Sequence, residues 1–162
     1  MSIETVKDYL REWGKADAVL EFEQSCATVE LAAQAAGVEE ARIAKTLSFK
    51  DMTENETGCI LVVAAGDARI DGKKFKECFS IKSKMLSPEE ALAVTGHSVG
   101  GVCPFAIANP QVRVFLDVSL KRFDTVFPAC GSSYSVVEIS CDELYAASKA
   151  RAWVDVCKNW ER

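Results

Sequence analysis

Apolar residues at the start of the chain recur at helical spacing: Val6, Leu10 and Trp13 share a face, and Gly14 stands where such a helix would stop. Ala18 to Phe22 alternates apolar and polar as a short strand does. Thr28 is placed to cap a small-residue helix from Val29 to Ala36 that ends at Gly37. Lys45-Thr46-Leu47-Ser48-Phe49 alternates again, and the polar stretch Asp51 to Gly58 reads as a hairpin loop. The run Cys59 to Ala65 is apolar throughout, as in a strand buried on both faces. Asp71 and Gly72 open a lysine-rich helix with Phe75 and Phe79. Ser87-Pro88-Glu89-Glu90 has a cap, a proline at the first helical position and a glutamate at the third, so a helix begins there and closes at Gly96. Val112 to Val118, Thr125 to Ala129 and Ser135 to Ile139 read as strands. Ser140-Cys141-Asp142-Glu143 is a second capping box, expected to introduce a final helical region carrying Leu144, Trp153 and Trp160. Strands interspersed with helices predict an α+β fold: a single domain, 1–162, with a mixed central β-sheet and flanking helices.

Composition narrows the function classes. The chain has 162 residues, 49% of them hydrophobic, and a net charge of −5. That length can bury a core without staples, and the acidic balance argues against broad, non-specific nucleic-acid binding, DNA included, though a local basic face remains open. The apolar run at 59–65 is too short to span a bilayer, and the first residues lack the pattern of a signal peptide. Seven cysteines are scattered with no Cys-x-x-Cys pair, and there is one histidine, so neither a disulfide framework nor a zinc site is expected. A reduced cytoplasmic protein with no cofactor and no metal is the expectation.

The run Gly96-His97-Ser98-Val99-Gly100-Gly101-Val102-Cys103-Pro104-Phe105 is the chemically richest stretch. A glycine pair can present backbone N–H groups to a carboxylate, a phosphate or a developing oxyanion, and Pro104 fixes the exit of the loop. A plain tight turn is the competing explanation. His97 and Cys103 invite a thiol–imidazole nucleophile, but cysteine also serves as a small buried hydrophobe.

These pieces, in this order, resemble the YbaK/ProX family of aminoacyl-tRNA deacylases, relatives of the editing domain of prolyl-tRNA synthetase. Ala44-Lys45-Thr46-Leu47 matches the family's Lys-Thr-Leu strand, Gly100 to Phe105 its Gly-x-x-x-Pro loop, and Val114 to Leu120 with Gly131 to Leu144 its C-terminal strands and helix. The resemblance covers about 20–147. It implies a freestanding trans-editing hydrolase that cleaves the ester of mischarged aminoacyl-tRNA without a metal. The partners implied are the tRNA acceptor end and, further, a synthetase. A tRNA- or synthetase-binding module of the same fold, without hydrolysis, is the alternative.

Carried onto this sequence, the resemblance makes Lys45 the essential charged residue and Gly100 the donor of backbone amides; Asp117 would position water or the substrate amine. A solvent-facing strand lysine and a turn cap before Ser119 are the plain readings of Lys45 and Asp117. Thr28, His97, Gly101, Val102, Cys103 and Pro104 would line the substrate site, although Thr28 is equally well explained as a helix cap. Ala129 replaces a serine found in some deacylases, which leaves specificity open. Lys73, Lys74 and Lys76, with Lys82 and Lys84, form the densest basic patch and are the expected tRNA contact, against the ordinary reading of a solvated face.

Overall fold

In the computed structural model, which describes residues 3–51, 58–98 and 100–160, every residue of the strand Gly58–Ala65 is buried. Its unbroken apolar side chains suit the centre of a sheet covered on both faces. Among the described residues there are five α-helices: α1 (Ile3–Arg11), α2 (Val29–Ala36), α3 (Gly72–Phe79), α4 (Pro88–Thr95) and α5 (Cys141–Ala147). Ten strands accompany them: β1 (Val19–Glu21), β2 (Ile43–Asp51), β3 (Gly58–Ala65), β4 (Arg69–Ile70), β5 (Val112–Asp117), β6 (Thr125–Pro128), β7 (Ser135–Val137), β8 (Ile139–Ser140), β9 (Ala152–Val154) and β10 (Cys157–Lys158).

Six strands form one mixed sheet in the order β8-β6-β2-β3-β5-β9. Antiparallel β2 and β3 are its middle, in register from Ala44↔Ala65 to Asp51↔Gly58. The residues between them, 52–57, where a hairpin loop was expected, lie outside the described residues, as does Val99. β5 runs parallel to β3, and β6 parallel to β2. The α+β domain on one mixed central sheet is as expected. Two small sheets, β1-β7 and β4-β10, were not legible in the sequence.

Local signals set the helix ends. Thr28 Oγ1 accepts from Leu31 N at 3.1 Å, Asp71 accepts from the amides of Lys73 and Lys74, and Ser87 with Glu90 closes a reciprocal capping box before α4. Beneath α3, Phe75 packs on Phe49 and Phe79, each with ring centroids 4.7 Å apart, and Phe79 meets Phe115 edge-on at 4.9 Å.

Two expectations change. The strand expected over Ser135–Ile139 divides at Glu138, because β7 pairs with β1 while β8 pairs with β6. The last helix ends at Ala147, well before Trp153. Lys149 takes a left-handed φ of 55°, and Arg151 N then donates to Val114 O at 2.8 Å. From there the chain runs as β9 along the open edge of β5, placing Trp153 opposite Leu116. Pairing with the open edge of β5 outweighs extension of a short helix.

Candidate active site

β2 has two partners on the edge away from β3, and they do not meet. β6 accompanies it only over Ile43 and Ala44. Farther along, residues 84–86 cover it: Lys50 N donates to Lys84 O at 2.8 Å and Leu86 N to Ser48 O at 3.1 Å. Where these partners diverge, a cavity of about 330 Å³ opens between α2 and the start of α4. Small and apolar side chains dominate its wall, among them Ala32, Ala44, Ala91, Val102, Phe127 and Ala129. Thr28, Lys45 and Gly100, expected at the site, also line it. Thr28 does so while capping α2.

Lys45 is half-buried, and its ammonium donates to the carbonyls of Gly66, at 3.3 Å, and Ala68. Burial holds its pKa below the ordinary lysine value; the Cys157 thiol and the Asp67 carboxylate act in the opposite sense, and Arg69 adds to the lowering. The lysine is therefore anchored within the protein at the cavity wall and is not a solvent-facing strand residue.

The glycine loop is seated on the turn at 131–133. Gly100 has φ +89°, and a Cβ there would lie 3.2 Å from the Cβ atoms of both Ala27 and Ser133. Beyond Val102 the loop turns into the core, and His97, Gly101, Cys103 and Pro104 do not line the cavity. His97 is fully buried, with Nε2 2.8 Å from the carbonyl oxygen of Phe105. A carbonyl can only accept, so that nitrogen carries the proton and has no lone pair for the Cys103 thiol 3.6 Å away. Burial also lowers the His97 pKa and pushes the Cys103 thiol up to about 12. This pair is packed core, and its geometry does not make an activated nucleophile.

Residues 23–146 match the family model described as the aminoacyl-tRNA editing domain. The chain belongs to that family. This chain is 52% identical over 161 residues, 99% of its length and all of the other, to the uncharacterized protein YwhH of Bacillus subtilis. It is 25% identical over 125 residues, 76% of this chain and 74% of the other, to EbsC of Enterococcus faecalis, a protein provisionally assigned as a Cys-tRNA(Pro)/Cys-tRNA(Cys) deacylase. Among solved structures, one provisionally described as a trans-editing enzyme for prolyl tRNA synthetase superposes with a TM-score of 0.84 at 28% identity, over 98% of this chain and 99% of that one.

Four other expected site residues, Asp117, Lys73, Lys74 and Lys76, lie apart from the cavity. Asp117 is fully buried at the end of β5. One carboxylate oxygen accepts from Ser119 N at 3.0 Å and the other from Val156 N at 2.9 Å. Its carboxylate caps one turn and holds the C-terminal segment, which is the structural alternative the sequence left open. Lys74 is committed as well, to Asp155 at 3.2 Å and to the carbonyl of Cys157 at 3.0 Å. Lys73 and Lys76 are exposed on α3.

Cavity residues missed from the sequence include Thr46, Ser48 and Met85. Strand alternation could have placed Thr46 and Ser48 on the face shared with Ala44. Met85 carried no signal, because only pairing with Phe49 brings it there.

Proposed function

We propose that the editing domain is a freestanding hydrolase that deacylates mischarged aminoacyl-tRNA. Water adds to the ester carbonyl carbon, the bond to the terminal ribose oxygen breaks, and a free amino acid and a tRNA with a free hydroxyl leave. The observation that carries this reading is the small apolar cavity bounded by the glycine loop and Lys45. Its volume suits one amino-acid side chain with the end of the acceptor strand. A synthetase distinguishes small side chains by only a few kcal/mol per methylene, about 1–3, so a second hydrolytic sieve is the physical remedy.

In this reading the backbone amides at Gly100 and Val102 stabilise the oxyanion, and Lys45 contacts the carbonyl or the terminal phosphate. His97, Gly101, Cys103 and Pro104 support the loop from within the core, and Asp117 acts structurally. In this reading the water is activated without a metal, as the resemblance implies. Activity in the cytoplasm fits seven free cysteines, and among the described residues no helix is long and apolar enough to cross a membrane. A synthetase is a further proposed partner.

The test is hydrolysis of Ala-, Cys-, Ser- and Thr-tRNA in the presence and absence of EDTA. Turnover of at least one, unchanged by chelation, is expected. Tight tRNA binding with no turnover of any would favour the non-catalytic binding module.

A further inference from the structure

The edge of β2 inside the cavity carries main-chain groups with a defined direction. Ser48 O and Lys50 N both point away from β3, because they bond to Leu86 N and Lys84 O. Backbone groups on a strand repeat their direction every second residue, so the N–H and C=O of Thr46 point to the same edge, whereas those of Lys45 and Leu47 face β3. The β6 ladder has already ended at Ala44↔Pro128, and the segment covering the far side begins to bond only at Ser48. Among the described residues no backbone group bonds to Thr46 on that edge. Thr46 is only partly buried and lines the cavity, and Ala129 and Met85 belong to its wall on the two sides. The gap is one strand residue long.

We infer that this gap is the docking site for the aminoacyl group, which pairs with the Thr46 main chain as a single antiparallel strand residue would. In a hydrogen-bonded antiparallel pair the two residues exchange both bonds. The substrate's α-ammonium donates to Thr46 C=O, and its ester carbonyl oxygen accepts from Thr46 N–H. The side chain projects from the edge among the small residues of the wall. Recognition through the main chain reads the α-amine and carbonyl common to all aminoacyl esters and leaves discrimination to cavity size. It also requires a free α-amine: an N-acyl group removes the charge and extends the chain into the space closed by the flanking wall. This inference rests on the deacylase reading for the identity of its ligand.

Two measurements on the full chain test it. In the first, the ¹⁵N-labelled protein is titrated with adenosine carrying an alanyl or cysteinyl group through a 3′-amide, which is not hydrolysed. The Thr46 amide resonance is expected to shift and saturate, and the amides of Lys45 and Leu47, bonded to β3, to move far less. In the second, kcat/KM is compared for aminoacyl-tRNA and its N-acetylated form, with a loss on the order of a hundredfold or more expected on acetylation. Equal rates on the two esters overturn the inference, as does a Thr46 amide that stays still at saturation, or failure of both analogues to bind at millimolar concentration. If no ester is hydrolysed but Thr46 responds as described, the docking site stands and the deacylase reading falls.

Discussion

A Cβ added to Gly101 would stand 2.7 Å from the backbone nitrogen of Ser132 and 2.7 Å from the carbonyl carbon of Gly131. The glycine loop and the 131–133 turn are thus in backbone-to-backbone contact, with no flexible side chain between them to yield. Gly101→Ala is expected to cost about 1–3 kcal/mol, as overpacking against rigid backbone does, visible as a lower midpoint in urea. Gly100→Val, at φ +89° and against Ala27 and Ser133, is expected to remove deacylation. Full activity in a folded Gly100→Val protein would show that the loop has no part in the chemistry.

Lys45→Ala is expected to abolish deacylation with the fold retained, at a cost in stability because Gly66 O and Ala68 O lose the ammonium donor. The sign of its pH dependence follows from burial. The ammonium's pKa is lowered, so the charged form is lost as pH rises through a value below that of an ordinary lysine. The alkaline limb of kcat should therefore fall earlier than a solvent-exposed lysine would give. A rate flat to the ordinary lysine range would remove Lys45 from the step.

Asp117→Asn should act on stability and not on chemistry. The amide can satisfy only one of the two backbone donors now held by the carboxylate, Ser119 N and Val156 N. A loss of about 1–3 kcal/mol is expected, from leaving a buried donor unpaired. Turnover per folded molecule should stay near wild type; a large kcat loss without destabilisation would return Asp117 to the active site.

The basic patch should separate into two kinds of lysine. Lys73→Ala and Lys76→Ala are expected to raise KM for tRNA at low salt. Each should also shallow the salt slope by roughly one unit, because one phosphate is no longer neutralised by the protein. Lys74→Ala, which breaks the bonds to Asp155 and Cys157, should lower stability as well. Identical KM and slope in the Lys73/Lys76 double variant would make this a solvated face.

Alkylation should divide the cysteines by position. The Cys103 thiol, fully buried and pushed up to about 12, should stay unmodified by iodoacetamide at neutral pH while exposed Cys78 reacts. Cys103→Ala should keep most activity. A covalent aminoacyl adduct on Cys103 during turnover would reverse that conclusion.

What the sequence determined by itself is what short range controls. The caps at Thr28, Asp71, Ser87 and Ser140 act over three or four residues, and each helix starts where its cap stands. The apolar run at 59–65 read as a buried strand, and the order of motifs along the chain was enough to mark the family. Tertiary structure alone decided which edges pair. Trp153 left the expected helix because β5 needed a neighbour; Met85 reached the cavity by pairing with Phe49, and Asp117 was drawn into a bond with Val156, 39 residues away. The cavity itself is the gap between two partners of β2 that lie far apart in the chain. No local pattern specifies such a gap, because strand edges choose partners by the burial and hydrogen bonding of the whole sheet, not by the residues beside them in sequence.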